Sequence, residues 1–420
     1  MINEKTQLRE LCYAVKIDTI EPIVGSDNCE AAVIGGWKCM VRRGTFEAGG
    51  VGIYFEIDSL VDVSKPEFAF LAKKHGRIKT QKYTFGGKNP GFYSQGLLMS
   101  AEDFGWTIAI EPIGGARTEV IIDDEGKPHY YDDESRFLTE KLGVTYYVAE
   151  DNLRKAPKVD KYKKMAQRVG KKANTPWWKW LYRREWGKRV LFTFYGNKAD
   201  KKKWPQWVKK TDEERIECCT FYLNDKMPWI ASEKLDGTST TFTLKRGKWP
   251  RKNEFYVCSR NVVFDKPDKQ CYYENNVYLE MASKYDMEAK MTDMLQKHPE
   301  WDWVTLQGET YGGGPLGNIQ KNTYDLDEHR LAIFNLVTSD RGRWNSVDMV
   351  KYLKGYDIPC VPILSEALVL PPTVEELRAF VHSAPSTING KMKEGIVFRS
   401  LDGVHSFKCV DPEYLTHWHQ

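Results

Sequence analysis

The chain has 420 residues, 41% of them hydrophobic, and a net charge of +4. That is enough apolar material for at least two separate cores, so two or three domains are expected. No apolar run approaches the roughly 18 residues of a membrane span, and no basic start precedes one at the N-terminus, which predicts a soluble intracellular chain with no membrane partner.

The +4 is unevenly placed. Between Arg154 and Lys210 there are 20 Lys and Arg against Asp160, Glu185 and Asp200, a local +17 that leaves about −13 for the rest. Nine cysteines show no Cys-x-x-Cys spacing and read as reduced thiols.

In chain order, the first hundred residues read as short strands: Tyr13, Val15 and Ile17 alternate, then Trp37 to Val41, then Val51 to Asp58. Turns at Arg43-Gly44, Gly49-Gly50, Gly86-Gly87 and Asn89-Pro90-Gly91 leave no room for long helices. Residues 1–120 are therefore expected to form an OB-like β-barrel. Residues 121–215 hold the basic stretch, which carries Trp177, Trp178, Trp180, Trp186, Trp204 and Trp207. Cations with interleaved indoles suit a single nucleic-acid strand, by holding phosphates and stacking on bases. The same composition suits a solvated tether whose aromatics pack on a neighbouring domain. The segment is expected to be a linker or insertion.

Residues 216–420 alternate strands and helices, an α+β pattern. Strands are expected at Thr240 to Leu244, Phe255 to Cys258, Trp303 to Gln307, Leu331 to Val337 and Gly395 to Phe398. One helix is expected along Tyr278, Met281, Tyr285, Met291 and Leu295, ending before His298-Pro299, and another from Thr373 with Glu376 three residues on.

Within this domain Glu233-Lys234-Leu235-Asp236-Gly237 has the Lys-x-Asp-Gly form of a covalent nucleotidyltransferase. It is followed in order by Ser259-Arg260-Asn261, Gln307-Gly308-Glu309, Phe334 within Leu331 to Leu336, Lys393-Glu394-Gly395, and Phe407-Lys408. A nucleophilic lysine must lose its proton, and at pH 7 only roughly one free lysine in a few thousand is neutral. Lowering its pKa by about three units costs on the order of 4 kcal/mol, a task for burial and a divalent cation. Asp236, Glu309 and Glu394 are the carboxylates that could hold hydrated Mg²⁺ or Mn²⁺.

These motifs, with Gly36-Trp37-Lys38-Cys39, Ser94-Gln95-Gly96-Leu97 and Ile319 to Tyr324, resemble ATP-dependent RNA ligases of the fifth, Naegleria-type class, which place an OB domain before an ATP-grasp-like nucleotidyltransferase domain. The resemblance implies that Lys234 carries AMP taken from ATP and that Asp236 and Glu394 bind the metal's water shell. It implies that Glu309 meets the metal or the ribose, Arg260 the ribose or the 3'-terminal nucleotide, Phe334 the adenine and Lys408 the α-phosphate. Glu233 and Gly237 would complete the nucleotide site. Ser406 stands where such ligases usually have a second lysine. The glycines Gly312 to Gly314 could approach phosphate or form a turn, and the N-terminal domain could clamp nucleic acid or orient pyrophosphate. The implied partners are RNA ends, single-stranded or nicked, met by a monomer of cellular or viral origin. DNA ligases and mRNA-capping enzymes share the lysine chemistry but place the OB domain last. A non-catalytic nucleic-acid-binding protein is the remaining alternative.

Overall fold

The computed structural model describes residues 1, 3, 5, 9–86, 91–113, 116–147, 162, 174–195, 204–209, 212–247, 252–260, 262–264, 276–314, 317–319 and 321–418. Most of the basic stretch lies outside the described residues, as do Gly87, Asn89, Pro90, Asn261 and Gln320 of the sequence motifs.

The N-terminal part is antiparallel β throughout its described strands. Cys12–Lys16, Val51–Phe55 and Leu97–Met99 form one sheet; Thr19–Pro22, Cys29–Ile34 and Trp37–Arg42 form a meander beside it. Successive strand residues face opposite sides. Cys12, Ala14, Ile53 and Phe55 enter one core with Phe68 and Leu71, while Tyr13, Val15 and Tyr54 enter another with Trp37, Cys39 and Val41. The central sheet is thus buried on both faces.

A domain boundary at 120/121 would cut the strand Ala116–Ile122, which pairs with Thr107–Ile113. Ile121, Leu138, Leu142 and Val144 sit in the same core as Phe55. Tyr146 pairs with Ser59. Residues as late as Val144 thus pack in the same core as the first sheet.

The C-terminal part holds two sheets. One runs Glu214–Arg215, Ser406–Val410, Gly395–Ser400, Pro228–Lys234 and Ile363–Val369. The other runs Val263–Phe264, Glu254–Cys258, Thr238–Lys245, Trp303–Gly314, His329–Thr338 and Gly342–Arg343. All the strands expected from the sequence fall within these. Leu235-Asp236-Gly237 is the crossover from one sheet to the other. Only glycine fits at 237: a Cβ there would stand 2.3 Å from the carbonyl oxygen of Thr310.

The helical pattern near Met281 resolves into two helices, Val277–Lys284 and Met287–Lys297, not one. Asp286 breaks it at φ 49, a left-handed conformation that no regular helix admits. Both helices press Met281, Met291, Met294 and Leu295 onto Phe242, Leu244, Val304 and Leu306 of the second sheet. The helix Val374–Ser383 begins as expected, with Thr373 Oγ1 accepting from the Glu376 N–H. It covers the first sheet through Leu377 and Val381.

The same helix joins the two halves of the molecule. Arg378 donates to Gly36 O at 3.1 Å, Gln95 Oε1 at 2.5 Å and Glu217 Oε1 at 2.7 Å. Gly36 lies so close to the segment entering the second domain that a Cβ would meet the Glu217 Cα at 2.5 Å.

Candidate active site

Lys234 ends the strand Pro228–Lys234, opposite Gly395 in register, so the lysine and Glu394 leave adjacent strands at the same edge. Lys234 Nζ donates to both carboxylate oxygens of Glu394, each at 2.6 Å. Burial pulls the Lys234 pKa down, but Glu394, then Glu309 and Asp236, more than offset it and hold the ammonium above its ordinary range. The resting lysine is protonated and paired.

Glu309 projects from the strand Trp303–Gly314, where Ser239 is its partner in register. Burial, only partly countered by Lys234 and reinforced by Glu394 and Asp236, pushes its carboxyl up to about 8. Asp236 is fixed from two sides: its N–H donates to Tyr324 Oη at 2.8 Å, and Tyr414 Oη donates to its Oδ2 at 2.9 Å. Three carboxyl groups thus surround one ammonium, with Glu309 the one held protonated. Among the described residues no three acidic, His or Cys side chains converge as direct ligands of one ion, because Glu394 closes on Lys234. The surplus negative charge nevertheless fits a hydrated divalent cation, which keeps several waters and needs few direct protein ligands.

Lys408 lies in the strand Ser406–Val410, is partly buried, and donates to Asp212 Oδ1 at 2.8 Å. Its pKa is lowered, chiefly by burial, against which Asp212 pulls upward. Arg260, half-exposed, donates to Asp212 Oδ2 at 2.9 Å. Burial would raise the Asp212 carboxyl, yet Lys408 and Arg260 pull it well below the usual range. One carboxylate bridges both cations.

Asp212 belongs to a strap crossing this face. Trp207 Nε1 donates to Thr243 Oγ1 at 3.0 Å and its ring packs edge-on against Tyr256. Gln307 Nε2 donates to the Lys209 carbonyl at 2.8 Å. Glu213 then pairs with Arg399 at 2.9 Å and with Arg343, and accepts from Ser406 Oγ, so an acidic and arginine-rich network occupies the position beside the missing second lysine.

Phe334 is partly buried against Leu235, Tyr324 and Val361. The Glu233 carboxylate is held by a loop: Ser386 Oγ donates to Oε1 at 2.5 Å, and Thr387 N–H and Oγ1 donate to Oε2 at 2.9 and 2.5 Å. Its carboxylate anchors the loop ahead of Glu394, where nucleotide contact was expected. Gly312 to Gly314 continue a strand that pairs back with Gly317–Asn318, so they form the hairpin.

Asp212, Tyr324, Tyr414, Arg343 and Arg399 join the site without a role expected from sequence. Two signals pointed toward them: Tyr324 closes the Ile319 to Tyr324 motif, and the run Asp212-Glu213-Glu214 is an abrupt acidic end to a basic segment.

Comparison with known proteins gives two family matches: residues 227–410 match the RNA ligase family and residues 11–99 an OB-fold domain. Among curated proteins no match is found. Among solved structures, Naegleria gruberi RNA ligase with PPi aligns at TM-score 0.65 and 22% identity over 98% of this chain and 99% of that one. A Glu-to-Ala variant of that ligase with ATP and Mn aligns at TM-score 0.67 and 23% identity, covering 98% and 100%. A Lys-to-Met variant with AMP and Mn aligns at 0.65 and 23%, covering 97% and 99%.

Proposed function

We infer that this chain, an OB-fold domain followed by an RNA ligase domain, is an ATP-dependent RNA ligase that joins 3'-hydroxyl and 5'-phosphate ends through AMP carried on Lys234. The observation that carries this reading is Lys234 Nζ, held at the crossover between two sheets by Glu394 and ringed by Asp236 and Glu309.

In the first step Lys234 loses a proton, for which Glu394 is the group in contact, and Nζ attacks the α-phosphorus of ATP. An N–P bond forms and pyrophosphate leaves. The partly buried Lys408 stabilises charge on the transferring phosphoryl group, where a fixed cation shielded from water acts more strongly than in bulk solvent. Phe334 offers a ring face to adenine, and Arg260 lies at the outer edge, suited to ribose or the RNA 3' end. Asp236, Glu309 and Glu394 would hold Mg²⁺ or Mn²⁺, which supplies positive charge to the phosphates. AMP then passes to a 5'-phosphate, and a 3'-hydroxyl displaces it to make the phosphodiester.

In this reading the acting unit is a single chain. The eight described cysteines are free thiols, which suits a reducing intracellular setting. Among the described residues no helix is long and apolar enough to cross a membrane.

Incubation with α-labelled ATP and Mn²⁺ tests the reading. Wild type should acquire label that survives alkali and is released by hot acid, as an N–P bond requires, and Lys234→Ala none. Equal labelling of the variant, or labelling by GTP alone, would overturn it.

A further inference from the structure

Neither matched family covers residues 174–195, which hold the densest part of the basic, tryptophan-rich stretch. Two helices, Pro176–Tyr182 and Glu185–Tyr195, form a hairpin there. Its inner side is closed by Trp178 and Leu191, both 1% exposed, with Leu181 and Tyr182 packed on them. The approach is tight: a Cβ on Gly187 would stand 2.1 Å from the Leu181 carbonyl oxygen.

The outer side is unlike an ordinary solvated face. Trp177, Trp180 and Trp186 are 49%, 53% and 54% exposed. On the second helix Trp186, Val190 and Phe194 recur every four residues and share one face. The Trp180 and Trp186 rings meet edge-on at 6.0 Å, joining the two helices' aromatic rows into one ledge. Arg184 lies 4.0 Å over the Trp180 ring and donates to its carbonyl. Lys179, Arg183, Arg184 and Arg189 are exposed around the ledge, and the hairpin's one acid, Glu185, is paired with Lys188 at 2.5 Å. The structure also sorts the tryptophans. Trp178 is core, Trp207 is held in the strap and Trp204 Nε1 donates to the Val208 carbonyl at 2.8 Å, so three of the six define the surface.

We propose that this hairpin is a docking surface for a single RNA strand. Within residues 174–195 five Lys and Arg stand against Glu185 alone, a charge that suits a polyanion. The hairpin's indoles are set at a steep angle to each other, which suits unstacked bases of a single strand; a duplex keeps its bases paired and stacked inside and would use only the charge. The inference rests on the RNA ligase reading and adds a substrate-holding element to it.

The test uses the full chain carrying Trp177→Ala, Trp180→Ala and Trp186→Ala together, and separately Arg183→Gln with Arg184→Gln. The probes are a labelled 20-nucleotide single-stranded RNA, the same RNA as a duplex, and phosphatidylglycerol vesicles. Self-adenylation, which needs no RNA, reports that each variant is folded. The tryptophan variant should bind the single strand at least tenfold more weakly, about 1.4 kcal/mol, and the duplex little changed. The arginine variant should weaken both and flatten the salt dependence. Unchanged single-strand affinity with intact self-adenylation overturns the proposal. So does tryptophan-dependent binding to vesicles without an effect on RNA, which would make the ledge a membrane contact. Failure of the wild type to form lysyl-AMP would sink the ligase reading instead, while the RNA affinities would still decide the ledge.

Discussion

Asp212 sets one carboxylate oxygen on Lys408 and the other on Arg260, the two cations that the ligase reading assigns to the nucleotide phosphate and the RNA end. A partly buried ammonium without a counter-charge is costly, so the chain's own carboxylate fills the place until an anion arrives. An incoming phosphate has to displace it. Charge-assisted hydrogen bonds of this kind contribute about 1.5–3 kcal/mol. Asp212→Asn, which keeps the shape and one acceptor while removing the charge, should therefore lower the KM for ATP in self-adenylation by roughly tenfold. A KM that stays level or rises would show that Asp212 positions Lys408 and does not compete with nucleotide. Lys234 presents a related situation: in the resting protein it is paired with Glu394 and protonated, so its reactivity is made during nucleotide binding and is not stored beforehand.

At the scale of elements, the crossover Leu235-Asp236-Gly237 decides whether Lys234 and Glu309, on different sheets, face one cleft. Gly237→Ala forces a Cβ against the Thr310 carbonyl and has to push the sheets apart. Overpacking of this kind costs about 1–3 kcal/mol. Calorimetry should show a lower Tm, and self-adenylation should fall further than the loss of folded protein accounts for. Equal losses of both would place the effect in folding alone. The crossover was legible because Lys234, Asp236 and Gly237 are contiguous and the later motifs keep a fixed order. Strands were legible from their apolar runs. The break at Asp286 was not, since Met281, Tyr285, Met291 and Leu295 keep helical spacing across it, and only the backbone at 286 departs. Nor were Asp212 and Tyr414, which reach their partners Lys408 and Asp236 across 196 and 178 residues of chain. Local pattern carries no record of such contacts.

For the whole molecule, the decisive residue at the junction is Glu56, which is 1% exposed. It binds the N-terminal ammonium of Met1, accepts from Arg9 at 2.8 Å and from Tyr13 Oη at 2.9 Å, and meets the Cys218 thiol of the segment entering the catalytic domain. Burial would raise its carboxyl, but the Met1 ammonium and Arg9 bring it down to about 2 from an ordinary 4.5. A group depressed on folding stabilises the protein above its unfolded pKa and loses that contribution as pH falls through the folded value. The contribution is therefore complete above about pH 4.5 and gone near pH 2, and it amounts to roughly 3 kcal/mol. Glu56→Gln should lower stability at pH 7, because the Met1 ammonium and Arg9, both partly buried, lose their counter-charge. Wild type and variant should converge as pH falls below 4.5, since protonated glutamic acid and glutamine are nearly alike. Denaturant titrations at pH 7 and pH 3 measure both effects. If the gap between the two proteins is the same at both pH values, Glu56 is not ionised in the folded protein, and packing alone joins the domains at this point.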